Sequence, residues 1–212
     1  HAIWSREVFG AGNRDQLRLY LAATSPDVRR RDFTATGYAA FVQDVLREWE
    51  HWIAGVGARV GEHFAGTAPE AGPWNADAER GYGHIRDLLA AAGSAYRPDR
   101  LGLRHAVAAM RTFVDRMSEF AEVVEDVLAG GPGSPIARTV VALELMAVRT
   151  LAAAAAPLAP DLAARLASAV GEPGGVPATD VPGWVRPGTP VSFGSGFFTE
   201  DALRSVRLPS ES

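Results

Sequence analysis

Hydrophobic positions in this chain recur at steps of three and four over most of its length, the spacing of one helical face. The longest run opens at Thr34. It takes in Tyr38, Phe41, Val42, Val45, Leu46, Trp49, Trp52, Ile53, Val56, Val60 and Phe64 and predicts one long helix. Gly55, Gly57 and Gly61 interrupt its second half. Each weakens a helix by up to ~1 kcal/mol relative to Ala, so they predict a close neighbour or a kink. Upstream, Asn13 is placed to cap a short helix with Leu17, Tyr20 and Leu21 inward, and Ser25-Pro26-Asp27 stops it.

Downstream of a Pro-containing loop over 65–75, Asn75 or Asp77 starts a helix with Ala78, Tyr82, Ile85, Leu89 and Ala92 inward. Pro98-Asp99 is expected to open the next. Its stripe of Leu103, Val107, Met110, Val114, Met117, Phe120 (or Ala121), Val124 and Leu128 is close to a heptad, as in bundles. Pro135 suits a first helical turn, and 136–156 is apolar nearly all round, which predicts a central helix. Pro160 and Asp161 open a last one with Leu162, Leu166 and Val170 inward, Asp161 favouring its positive start. After Gly171 the chain is rich in Pro and Gly, with Trp184, Val191, Phe193, Phe197 and Phe198 to lay it on the bundle. No strand set is visible. The expectation is an all-α bundle of about five main helices with a short entry helix and a mostly irregular C-terminal tail. Its organisation reads as 1–33 linker, 34–171 helical bundle and 172–212 tail packed on the bundle.

Composition narrows the chemistry. The 212 residues contain no Cys, which excludes disulfides, thiolate catalysis and Cys-ligated metals. All 21 basic residues are Arg, so Schiff-base chemistry and a P-loop Lys are excluded as well. The net charge is −4. Dedicated nucleic-acid binders are usually basic, so DNA is not an expected partner and any RNA contact is confined to a patch. Arg138, Glu144 and Arg149 break the best apolar run below membrane-spanning length. No membrane partner is expected, and a cytoplasmic setting is the default. A chain that opens on His1 is expected to be a portion of a longer or processed product.

The candidate chemical groups are sparse. Glu48 and His51 have the Glu-x-x-His spacing of di-iron bundles, but no second pair accompanies them, so no metal site is expected. Glu119, Glu122, Glu125 and Asp126 lie at helical spacing and read as a solvated face. Arg29, Arg30 and Arg31 are candidate phosphate contacts. Trp49 and Trp52 are able to stack on a base, yet both sit on the apolar stripe, where core packing is the default. Gly194-Ser195-Gly196 is not a hydrolase elbow. No catalytic constellation and no cofactor site are present in this reading.

Two end segments carry a resemblance. Asp15-Gln16-Leu17-Arg18-Leu19-Tyr20-Leu21, then Ser25-Pro26, then Asp32-Phe33, resembles the stretch of methionyl-tRNA synthetases that links the catalytic domain to the helical anticodon-binding domain. The stretch from Leu151 through Pro157-Leu158-Ala159-Pro160 to Gly171 is similar to the last bundle helices of that family, and Trp184, Gly188 and Phe197-Phe198 to its closing segment. The resemblance implies a class I ligase-like parent whose catalytic core lies outside this chain. That core would use ATP and an amino acid, with tRNA and the catalytic domain as partners. Anticodon-reading residues carried over by position fall on His51 and Gly55, with Arg59 as the displaced Arg and Trp52 beside them. The stacking Pro-Trp position falls on Glu119-Phe120. The RNA-binding candidates are therefore Arg59, His51, Trp52 and Arg29, Arg30 and Arg31. The alternatives are a paralogue that activates an amino acid for another acceptor or a metabolite, and a non-enzymatic helical partner module.

Overall fold

The computed structural model describes residues 14–25, 33–99, 101–177, 181–194 and 198. Among them are six helices and no strands, as the apolar periodicity predicts. They are α1 (Arg14–Ala23), α2 (Ala35–Phe41, a π turn Val42–Leu46, then Arg47–Phe64), α3 (Ala76–Ala95), α4 (Leu103–Ala129), α5 (Pro135–Ala155) and α6 (Pro160–Ala169). Helix α5 is the centre. It packs against α2, α3, α4 and α6, and Val140 to Val148 are all buried.

Local chemistry sets the helix starts. Thr34 Oγ1 accepts from the Gly37 N–H, Asn75 Oδ1 from Ala78 and Ser134 Oγ from Ala137. Each satisfies one of the orphan donors of a first turn. Helix α6 is capped from elsewhere. Asp15 of α1, almost fully buried, accepts from the Leu162 N–H at 2.8 Å, while Asp161 stays exposed. The two end segments singled out in the sequence thus meet in space. Helix α1 adds Leu19, Tyr20 and Ala22 to the core, and Tyr38 Oη donates to Gln16 Oε1 at 3.2 Å.

Several expectations need correction. The buried face of α1 is Asp15, Gln16, Leu19, Tyr20 and Ala22; Leu17 is half-buried and Leu21 is 48% exposed. Two hydrogen-bonding residues belong to the inner face, which an apolar count does not register. Helix α4 begins at Leu103 rather than Pro98. Asp99 is held by the Arg97 guanidinium at 3.0 and 3.2 Å instead of capping a helix, and Gly102 N–H donates to Ala95. Within α4, Phe120 is the inward residue, and in α3 Leu88 is more buried than Leu89. The long second helix widens into a π turn at Val42–Leu46, where the inward run of Tyr38 and Val42 passes to Val45, Leu46 and Trp49.

The glycines of α2 divide by role. A Cβ on Gly57 would stand 2.8 Å from the Phe193 Cβ, so the tail packs directly on that backbone. Gly61 faces open space. The tail runs beside the loop after α2. Val191 N–H donates to Gly66, Gly188 to Ala68 and Ser192 to Ala169. Phe198 is buried against Trp49, and Trp184 stands edge-on to Trp74 at 6.0 Å. Phe197 and Arg29–Arg31 lie outside the described residues.

Helix α2 ends on Ala65 at φ 51°, a left-handed conformation that favours glycine. Ala65→Gly is expected to raise stability by about 1 kcal/mol. Urea unfolding checks it: the midpoint moves up with an unchanged slope.

Candidate functional site

The central helix carries one acid. Glu144 is fully buried, in a segment otherwise almost wholly apolar. An unpaired carboxylate there would be several kcal/mol unfavourable, so the site requires a cation. Arg59 of α2 supplies it. Arg59 Nε donates to Glu144 Oε2 at 2.8 Å, and Nη2 donates to Oε1, a bidentate pair. Nη1 donates to Glu125 Oε1 of α4 at 2.8 Å. Arg59 is 8% exposed, while the Glu125 side chain is 58% exposed and closes the group toward solvent.

The helix is shaped for this pairing. Helical side chains lean toward the N-terminus, over the preceding turn. For Arg59 that turn holds Gly55, and a Cβ there would lie 3.2 Å from Arg59 Nη1. The glycine leaves the guanidinium its place. Burial acts to raise the Glu144 carboxyl, and the Arg59 hydrogen bonds and charge pull it back. Arg59 itself is held above the ordinary guanidinium value: burial works against the charge, and the bonds to Glu144 and Glu125 outweigh it.

The sequence candidates therefore occupy different environments. Arg59 is enclosed, with all three guanidinium nitrogens engaged. Trp52 is 3% exposed, its ring edge-on to Phe113 at 6.1 Å. The indole N–H groups of Trp52 and Trp49 have no hydrogen-bond partner among the described residues. His51, on the other side of α2, is exposed beside exposed Glu48 and Arg47. Phe120 is in the core, packed on Gly81 so closely that a Cβ there would stand 2.8 Å from its ring, and Glu119 is exposed. The structure brings Arg59, Glu125 and Glu144 together, and it does not bring His51 to them. Among the described residues no group of three His, Asp or Glu is arranged to hold a metal ion.

Two of the three triad members carried no functional weight in the sequence reading. Glu144 counted only as an interruption of an apolar run, and Glu125 as part of a solvated face. The available signal was the lone acid in helix α5: a carboxylate with apolar neighbours on every side implies a buried Arg on a facing helix. What the sequence lacked was which Arg. The triad offers no nucleophile and no open coordination position. It joins α2, α4 and α5 through charge.

Arg59→Ala is expected to destabilise the fold by about 3–5 kcal/mol, because it strands Glu144. The paired change Arg59→Met with Glu144→Leu is expected to recover most of that loss. A double-mutant cycle by denaturant titration reads the coupling.

No protein-family model matches the chain, and no curated protein sequence does either. Solved structures do. The apo form of Mycobacterium tuberculosis methionyl-tRNA synthetase aligns with 87% of this chain at a TM-score of 0.77 and 18% sequence identity. The same enzyme bound by methionyl-adenylate gives the same TM-score and identity. The chain spans 38% and 37% of those two proteins, well under half their length. The likeness is one of fold, and it falls on the family that the two end segments resemble.

Proposed function

We propose that this chain is the helical domain of a methionyl-tRNA-synthetase-like class I ligase. The catalytic core, with its ATP and amino-acid sites, lies outside it. The observation that carries this reading is a fold shared over 87% of the chain with a methionyl-tRNA synthetase, with sequence-level resemblance at both ends. In this reading the bundle holds the stem of a tRNA against the core. His51 stands on its exposed face, and Arg29, Arg30 and Arg31 serve as phosphate contacts. Arg59 and Trp52, committed to the interior, support that surface from behind.

A second reading is favoured by the enclosure of Arg59. A paralogue that has given up anticodon reading would free those positions for packing, and exposed Glu119, Glu122 and Glu125 would no longer be selected against. Such a protein activates an amino acid for another acceptor. A partner module without enzymatic function is the third possibility and is marked by a stable complex with a separate catalytic chain.

Two assays on the full-length protein separate these readings. The first expects tRNA binding whose affinity falls steeply with salt, weakened by His51→Ala and by replacing Arg29–Arg31. No affinity for any tRNA across salt sinks it. Amino-acid-dependent pyrophosphate exchange without tRNA charging supports the second.

A further inference from the structure

Two of the described tryptophans belong to the core and two stand in water. Trp49 and Trp52 are 1% and 3% exposed, whereas Trp74 and Trp184 are 42% and 41% exposed. The exposed pair comes from segments far apart in sequence, the loop before α3 and the tail. Their rings meet edge-on at 6.0 Å with planes 82° apart. Tyr82 of α3, half-buried, is edge-on to Trp74 at 5.3 Å. Leaving two large aromatic rings in water forgoes burial that would stabilise the fold, so their exposure calls for a use.

Both rings are mounted on clamped backbone. Ahead of Trp74, the Gly72 N–H donates to Thr139 Oγ1 at 2.8 Å, and that hydroxyl lies 3.0 Å from the Pro73 carbonyl oxygen. A Cβ on Gly72 would stand 2.7 Å from the Pro135 carbonyl oxygen, so the loop is pressed onto the start of α5. Ahead of Trp184, Gly183 lies on the Arg149 guanidinium, where a Cβ would stand 2.9 Å from Cζ. Behind it, Val185 is buried. That alternation leaves Trp184 and exposed Arg186 together on the outer side of the tail. The rings are exposed yet held in place, which lowers the ordering cost of a ligand that lies on them.

Arginines flank the pair. Arg186 follows Trp184 by two residues, Arg86 lies one turn beyond Tyr82 on α3, and Arg138 precedes Thr139, to which the Trp74 loop is tied. All three are exposed, and none forms an ion pair among the described residues. Asp77 at the start of α3 is engaged by Arg80. Exposed Glu79 is the opposing charge beside Tyr82, and Arg86, two turns on, offsets it. We infer that Trp74 and Trp184 form a stacking platform for unpaired nucleotides of an RNA strand, with Arg186, Arg138 and Arg86 as contacts to its phosphates. Any base stacks on an indole, and guanidinium groups beside the rings track the backbone. The same arginines oppose a cationic guest of the kind that aromatic cages take, and they leave an apolar protein face with charges to desolvate. The helical-domain reading supplies RNA as the partner class, and to that extent the inference rests on it. The platform itself requires only unpaired bases.

The test titrates the intact chain at low salt with a short single-stranded RNA and with the same sequence as a duplex, following tryptophan fluorescence. Trp74→Ala, Trp184→Ala and Arg186→Glu are compared with the wild type, and melting curves check that each folds. The expected result is quenching by the single strand and weaker binding of the duplex. Each Trp variant is expected to lower single-strand affinity about tenfold, and Arg186→Glu to lower both the affinity and the salt slope. Should a Trp variant fail to fold, Arg186→Glu and the preference for the single strand decide. No binding of the single strand by the wild type, or affinity unchanged in the folded variants, overturns the inference. Self-association that Trp184→Ala abolishes, with no RNA bound, assigns the pair to a second copy of the chain and overturns it too. In the full-length protein, tRNA affinity untouched by the variants removes this inference and leaves the helical-domain reading standing. Variant-sensitive binding of the single strand without tRNA affinity does the reverse.

Discussion

A carboxylate at the centre of the most buried helix is the constraint around which this bundle is arranged. Glu144 has no route to water, so a guanidinium has to reach it, and Arg59 does so from a neighbouring helix. That requirement fixes the rotation of α2 about its axis. It also fixes the small residue at position 55, over which the guanidinium lies. Glu125 then completes the arrangement from α4. Ordinary apolar packing tolerates a range of side-chain exchanges. A bidentate pair does not, because both oxygens must find nitrogen in one plane. The triad therefore specifies how three helices sit relative to one another more sharply than their leucines and valines do. Its net contribution to stability is a separate matter, since desolvation offsets much of the attraction.

The same arrangement bears on function. An Arg that neutralises a buried acid is unavailable to a phosphate, and a Trp that fills the space against Phe113 is unavailable to a base. Two residues weighed as RNA contacts in the sequence, Arg59 and Trp52, are enclosed in the interior. A shared fold does not carry its site chemistry with it.

Most of the architecture was legible because helices advertise their buried face at a fixed period. The stripe from Val107 to Leu128 and the all-round burial of α5 both appear as read. Errors fell where polar atoms do the work of apolar ones. Asp15 and Gln16 are inward because they satisfy Leu162 N–H and Tyr38 Oη, so an apolar count turned α1 the wrong way. Asp99 looked like a helix cap and is instead a partner for Arg97. The π turn in α2 left no mark, since its residues are ordinary helix formers. The triad was invisible for a different reason: it joins positions up to 85 residues apart, and a single sequence holds no record of which distant Arg answers which Glu.

The hydrogen bond from Leu162 to Asp15 closes a loop of 147 residues, one of the longest-range side-chain contacts among the described residues. Closing so long a loop is entropically unfavourable until the helices between have packed. In a chain emerging from a ribosome, α1 is made first and its acceptor waits through the synthesis of every other helix. Any unit attached ahead of α1 is thus joined to an element whose last polar contact is formed only when α6 arrives. The order of synthesis and the order of consolidation run in opposite directions at that end of the bundle.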